Sequence, residues 1–517
     1  MSSRAAIHAT GHRLLCFAGW VRRILGRPFN QSVLTNGSTM TKYATSLLCC
    51  ALLLATHAGG QTAASSSPAL RFSGTSSSSE ILHSNPFAGS RPSGQANPEV
   101  LQLTLDAAIQ SALKQNLGVV LSDQGARAAA AVRIRALAAL LPRLTAGVSE
   151  QVQQENLAAR GIKIPGAPRI IGPFGVFDAR AYLSQSIFDL SAINRQRSAN
   201  QELAAANYSL QDARNLVVFT TAAAYLQVIA ASARIESAEA QVATANALHQ
   251  KAVDQHTAGV IPAIDSLRSQ VELQARQQQL IVVKNAFDRG KLDLARIIGL
   301  PLGQRFAIAD KIPYAALVDI GLDQSLERAY LTRPDFKNAE ASVRAAEFTR
   351  KAAVSEFLPS VGVDADYGDI GITPGNSHGT FHVGGTVRLS LFDGGRIRAD
   401  VDQADALLQQ RKAQMEDLRG RIDYDVRVAF LNLTAASEQL RVGNSSVDLA
   451  RQALAQAQDR FSAGVSDNLE VVQAQEAFAV ANDTYIDSLH AYNLGKLALA
   501  SAMGVVEQEG KRFLQGK

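Results

Sequence analysis

Past residue 60 the chain has no cysteine and no tryptophan, because Cys16, Cys49, Cys50 and Trp20 all precede it. No disulfide can therefore hold the body together, and a thiol-free body suits an oxidising compartment. Aromatic residues make up only 6% of the chain while alanine is abundant, which favours helices packed through small side chains over a thick globular core. A basic excess is also missing from the body. Residues 1–60 hold Arg4, Arg13, Arg22, Arg23, Arg27 and Lys42 and no carboxylate, and the remainder carries 45 basic against 46 acidic side chains. A nucleic-acid-binding body would keep its positive surplus, so that class is excluded. No glycine-rich loop carries a P-loop Lys-Ser/Thr, and no catalytic constellation emerges. His249 and His256 stand seven residues apart, and His378 and His382 lie where a loop enters a strand, so neither pair makes a metal site. No enzyme, cofactor or metal is expected.

The N-terminal hundred residues read as processing and linker sequence. Residues 40–58, MTKYATSLLCCALLLATHA, have one positive charge, a short apolar run and small residues at Thr56 and Ala58, the pattern of a secretory signal peptide. The apolar run is shorter than the roughly 20 residues a spanning helix needs. Residues 1–39 read as an extension or a mis-called start. Residues 59–99, rich in Ser, Gly and Pro, read as a flexible linker.

From Leu101 the chain repeats itself. Leu105-Asp106 and Leu141-Pro142 recur 217 positions later, at Leu322-Asp323 and Leu358-Pro359. Phe188-Asp189 recurs 204 later as Phe392-Asp393, and Ala258-Gly259-Val260 recurs 205 later as Ala463-Gly464-Val465. Preserved order marks a duplication. The boundaries are 100–304 for the first copy, 305–321 for a connection, 322–505 for the second and 506–517 for a tail. The change of offset puts 13 extra residues in the first copy, assigned to the Gly/Pro-rich stretch 161–175.

Each copy has one plan: a helix stopped at Leu-Pro, two alternating segments forming a hairpin, a Phe-Asp turn, and a very long helix reversed at a glycine. Residues 190–258 contain no Gly or Pro, enough for a rod near 100 Å. Val447, Ala450, Leu454, Ala457 and Phe461 follow 3-4 spacing, as do Ile235, Ala238, Val242 and Ala245, which is coiled-coil spacing.

The alternating segments carry the membrane reading. In residues 381–391, Phe381, Val383, Val387, Leu389 and Leu391 share one parity, while His382, Thr386, Arg388 and Ser390 share the other. About 10 residues with one apolar face match a transmembrane β-strand. Four strands cannot close a barrel, and open edges are not tolerated in lipid. Copies must combine, giving 8, 12 or 16 strands. Each Phe-Asp turn (Phe188-Asp189, and Phe392-Asp393 with Gly394-Gly395) is then the point where a strand leaves the membrane and becomes a rod. The expected fold class is mainly α with a membrane β-barrel: a duplicated helix–hairpin–helix unit with a long coiled-coil α-barrel and four strands per chain.

Leu391-Phe-Asp-Gly-Gly-Arg396, Phe357-Leu-Pro-Ser-Val361, Arg333-Pro-Asp335 and the duplication together resemble the TolC-type outer membrane efflux protein family, over about residues 101–505. The resemblance implies a homotrimer with a 12-stranded barrel in the outer membrane and an α-barrel tunnel in the periplasm. It also implies a periplasmic adaptor and an inner-membrane pump of RND or ABC type as partners, and export of small molecules or proteins. Ala258, Gly259, Val260, Ala463, Gly464 and Val465 correspond to the adaptor-contacting helix tips. The family's best-known member rings its periplasmic constriction with two acids one helical turn apart; Glu470 keeps the first and Gln473 replaces the second. Asp265 matches an Asp that is latched there by a Tyr and an Arg. Phe461 and Ser466 stand in their places, so that latch cannot form, with Arg268 and Arg460 as candidate substitutes.

The residues leave two other classes open: a non-conducting structural or adhesive envelope protein whose rods tether layers, and a soluble coiled-coil scaffold. Inward polar parity of the strands and the paired glycine tips favour a duct.

Overall fold

The structure, a computed structural model, describes residues 86–515 apart from 160, 167, 311–314, 316–320 and 467. The extension, the signal peptide and most of the linker expected from the sequence lie outside the described residues.

Both copies are built alike. The first runs β1 (Leu101–Leu103), α1 (Leu105–Gln115), α2 (Leu117–Ala138), β2 (Arg143–Asn156), β3 (Ile170–Phe188), α3 (Leu190–Thr257) and α4 (Ala263–Ile298). The second runs β4 (Phe306–Ile308), α5 (Leu322–Thr332), α6 (Pro334–Ser355), β5 (Ser360–Thr373), β6 (Asn376–Arg388), α7 (Arg396–Ser462) and α8 (Asn468–Ala502), followed by α9 (Val506–Gln515). Helix lengths match pair by pair: 11 and 11, 22 and 22, 68 and 67, 36 and 35 residues. The 13-residue offset resolves mainly into the hairpin connections, 157–169 in the first copy against Pro374 and Gly375 in the second. Residues 170–175, expected within the insertion, are instead the start of β3.

The long helices hold together by small-residue seams. On α7, Ile422, Val426, Ala429, Leu433, Ala436, Leu440, Gly443 and Val447 are buried at strict 4-3 steps, continued by half-buried Ala450 and Leu454 to buried Ala457 and Phe461. That is more than five heptads of coiled-coil packing. Gly443 sits on the seam, where a Cβ would make only ordinary contact with the Tyr485 Cα at 3.5 Å, so the helix runs through it. On α3 the seven-residue steps Ala238, Ala245 and Ala252 are all buried. By composition α3 is apolar enough to cross a membrane. Its apolar stretch is core, with Val217, Val218, Ala222, Tyr225, Leu226, Val228 and Ile229 all at 5% exposure or less.

The copies are tied at their bases. β1 and β4 pair in parallel, Leu101 opposite Phe306 and Leu103 opposite Ile308. The buried Tyr225 hydroxyl donates across this joint to the Leu103 carbonyl at 2.9 Å or the Asp310 carboxylate at 2.7 Å. Asp310 also accepts the Leu105 N–H at 2.9 Å, capping α1. Burial first, then the Asp310 carboxylate, hold the Tyr225 phenol protonated far above its ordinary pKa.

Two flanking segments show contacts that composition does not reveal. Residues 86–99 are held by hydrogen bonds to the helix joint. Arg91 N–H bonds Gln115 O at 2.9 Å, Leu117 N–H bonds Gly89 O at 2.9 Å, and Asn116 Nδ2 bonds Phe87 O at 2.8 Å. The free groups at the α1–α2 joint take these partners, and Ser/Gly/Pro content does not reveal them. The tail is likewise a docked helix, α9, with Phe513 and Leu514 buried against α8. Glu507 pairs with Arg214, Glu509 with Arg328, and Lys511 with Asp106. Fully buried Lys496 reaches the Leu514 carbonyl at 3.3 Å and the Ala315 carbonyl at 3.2 Å, and desolvation lowers its pKa to about 8.

Candidate functional site: the membrane sheet, the junctions and the helix tips

β2, β3, β5 and β6 form one antiparallel sheet in that order. Residues directly opposite share a face, so the register assigns each side chain. One face carries Leu144 opposite Leu183 opposite Ala365 opposite Val383, and Ala146 opposite Ala181 opposite Tyr367 opposite Phe381. Val148 lies on it, as do the opposed Val361 and Val387. These side chains have no cover within the chain: Val148, Phe381 and Val387 are 74%, 77% and 69% exposed. Glu150 and Asp369 break this face toward the hairpin-loop half.

The other face is polar, with Thr145, Tyr182, Asp366 and His382 in one row and Arg143, Ser184 and Asp364 in the next. Arg180 donates from Nε to Asp178 at 2.8 Å and from Nη1 to Asp366 at 2.9 Å. Gly368 faces Arg180 across the ladder, and a Cβ there would fall 2.1 Å from the Arg180 Cβ. Thr386 and Arg388 complete this polar parity on β6, as the alternation predicts. Within the chain, β2 and β6 each leave one edge unpaired.

The two Phe-Asp junctions end the strands differently. Phe188 is the last residue of β3, and Asp189 caps α3 by accepting the Ala192 N–H at 2.9 Å. In the second copy Gly394 and Gly395 intervene with φ of 69° and 89°. Asp393 spans them, accepting Gly395 N–H at 3.2 Å and Ile397 N–H at 2.9 Å. Phe392 is 90% exposed beside the strand end. Glu356 sits between the junctions and pairs with Arg195 from one and Arg396, at 3.0 Å, from the other.

At the opposite ends of the rods, both reversals are left-handed helix caps. Gly259 N–H bonds His256 O and Val260 N–H bonds Gln255 O, each at 2.9 Å; Gly464 N–H bonds Phe461 O and Val465 N–H bonds Arg460 O, each at 3.1 Å. Ala258 and Ala463 are the residues before each glycine, in helical geometry. This double bond pattern needs positive φ, and the glycines have 76° and 70°. Val260 and Val465 are each 68% exposed.

Just inside the tips, the constriction candidates face guanidinium groups of their own chain. Asp265 is 8% exposed and pairs with Arg268 at 3.3 Å. Glu470 pairs with Arg460 at 3.3 Å and accepts from Ser466 Oγ. Gln473 is exposed on α8. The two hairpins meet here: Asn468 Nδ2 donates to the Asp265 carbonyl at 3.1 Å, and Phe461, Val471 and Ala457 pack with Leu248.

Beyond the residues singled out in the sequence, a second seam emerges. Tyr424, Leu431, Val442 and Leu449 on α7 are more than half exposed and run parallel to the buried seam, two positions on. Ile264, Leu267, Val271 and Ile281 make a similar exposed row on α4. The 3-4 spacing that marked the buried seam marks these rows too.

A sheet with one uncovered apolar face and one polar face, continued by coiled-coil rods, defines a β-barrel membrane channel subunit with a helical extension. The model of the family described as "Outer membrane efflux protein" matches residues 325–505. The alkaline protease secretion protein AprF of Pseudomonas aeruginosa is 23% identical over 63% of this chain and 69% of its own. The pyoverdine export outer membrane protein OpmQ of the same species is 23% identical over 80% and 87%. The crystal structure of the outer membrane protein VceC of Vibrio cholerae shares the fold, with a TM-score of 0.67 and 20% identity over 77% of this chain and 96% of that one. Residues 325–505 thus match that family, and most of the chain is similar to outer membrane export proteins. On these likenesses the chain is an outer membrane efflux channel. The duct is thus selected over the tether and the scaffold.

Proposed function

We propose that three copies of this chain close a 12-stranded barrel and a continuous helical tunnel, a passive duct from an inner-membrane pump to the cell exterior. The observation that carries this is the sheet with two unpaired edges and one uncovered apolar face. In hydrocarbon each unsatisfied backbone group costs several kcal/mol, so the β2 edge of one copy must pair with the β6 edge of the next. The exposed seams on α4 and α7 supply matching helical surfaces for neighbouring copies. Cysteine pairs provide the test, since the body has no native thiol. Cysteines placed along β2 and β6 should crosslink into a ladder ending at three chains on denaturing gels; a ladder ending at two or four would overturn the trimer.

In this reading residues 40–58 direct export, the strand-to-helix junctions mark the periplasmic membrane surface, and the tips contact a periplasmic adaptor. The valines support tip contact, because Val260 and Val465 are apolar and equally exposed. Glu470, Gln473 and Asp265 form the narrow periplasmic mouth. Their charge there is moderated by Arg460 and Arg268, so the mouth selects cations less strongly than bare carboxylates would. A Glu470→Gln channel in planar bilayers should lose part of its cation preference; unchanged reversal potentials would remove Glu470 from the constriction. The pump, of RND or ABC type, chooses the cargo: one relative is named for a protease and another for pyoverdine. A duct of this kind need not recognise either.

A further inference from the structure

Between the two repeats, where α3 passes the α5–α6 joint, lies a cavity of about 420 Å³. Asp212 of α3, Arg333 and Asp335 of the joint, Asp425 and Tyr424 of α7 and Ser501 of α8 line it. Arg333 is the one cation among the described lining residues. Its guanidinium holds Asp335 by two bonds, 3.0 Å from Nε and 2.6 Å from Nη2, and reaches Asp425 and the Ala502 carbonyl from Nη1, each at 3.2 Å. Asp212 faces the same space with no hydrogen bond or ion pair among the described residues. The neighbouring cation on α3, Arg214, is committed to Glu507 of α9. Asn215 is likewise engaged, donating to the Gly504 carbonyl and accepting the Glu507 N–H. The backbone of Arg333 cannot retreat, since a Cβ on Gly504 would already lie 2.7 Å from the Arg333 Cα. Three carboxylates therefore share one fixed guanidinium, and the surplus charge falls on Asp212.

We propose that this cluster is an acid-operated clasp between the repeats: one proton taken up by Asp212 removes the surplus charge around Arg333 and tightens α3 against the α5–α6 joint and α7, and its loss loosens them. Because α3 and α7 continue to the tips, the clasp sets how firmly both rods are held at their bases. Burial foremost, then the Asp335 carboxylate, raise the Asp212 pKa from 3.8 to about 6, with Arg333 opposing. The folded state thus holds this proton more tightly than the unfolded chain. The group's stabilising contribution is full below about pH 4 and is lost as pH rises through about 6.

The test is thermal unfolding of the full chain in detergent from pH 5 to 7.5, wild type against Asp212→Asn. Taking the difference between the two cancels the titrating groups that are not coupled to Asp212. The variant, uncharged at all pH, should melt higher than wild type at pH 7.5 by about 2 °C or more, with the gap closing toward pH 5. A gap that does not change with pH would overturn the clasp. Asp335→Asn gives an independent arm if Asp212→Asn does not fold: its removal should lower the pH midpoint of the melting transition, and an unmoved midpoint also counts against the proposal. Neither reading depends on channel assembly, so the duct and the clasp succeed or fail separately.

Discussion

Four of the described helices end at a left-handed glycine, and the four sites fall into two kinds. Gly259 and Gly464, at the tips, have φ of 76° and 70°; Gly299 and Gly504, at the base, have 79° and 73°. The backbone is the same, but the neighbourhoods are opposite. A Cβ at Gly299 would lie 2.4 Å from the Gln115 Cβ and one at Gly504 2.7 Å from the Arg333 Cα, whereas nothing lies within 4 Å of either tip glycine. At the base the glycine meets two demands, left-handed geometry and close packing against the other helix joint. At the tips it meets one. Folding accounts for both demands on the base glycines, while the valines beside the tip glycines stay exposed.

The sharpest way to break this comparison is to add one carbon at each kind of site. Gly504→Ala should cost about 3 kcal/mol or more, combining about 1 kcal/mol of left-handed strain with backbone overlap, read as a lowered unfolding midpoint. The membrane sheet comes next. Val383→Arg, on the apolar face, should cost about 2–4 kcal/mol and deplete the outer membrane fraction, while Thr386→Arg, on the polar face, should assemble normally. Equal behaviour of the two would contradict the assignment of faces. Gly259→Ala and Gly464→Ala should each cost only about 1 kcal/mol, since strain is the whole penalty there. If they match Gly504→Ala, the contrast is wrong. Smallest in stability are Val260→Asp and Val465→Asp, expected to change it by less than about 0.5 kcal/mol, yet together they should abolish capture of the cognate adaptor.

Much of this architecture was legible in residues. The duplication, the strand parity, the Asp caps and the tip glycines depend on local periodicity and on turn chemistry, and both are written in single positions. The seam on α7 was visible from Val447 to Phe461, and the structure extends it back to Ile422. Helix α9 escaped notice because Val506, Gly510, Phe513 and Leu514 span under three turns, too short for periodicity to stand out. The pinned segment 86–99 escaped because its partners are backbone groups at helix ends, which no composition records. Just inside the tips, the acids were visible, but their pairing with Arg460 and Arg268 was only one of several possible arrangements.

By itself, then, the order of residues determined the repeated unit, the rods, which strand face is apolar and where each rod turns, because these follow from periods of two and of seven and from backbone geometry near one residue. Tertiary structure alone decided that β1 meets β4 across some 205 positions, that Tyr225 and Asp310 lock that joint, and that Asp212, Asp335 and Asp425 gather around a single arginine. Those contacts depend on how two copies of a unit lean together, a choice made by packing over the whole molecule.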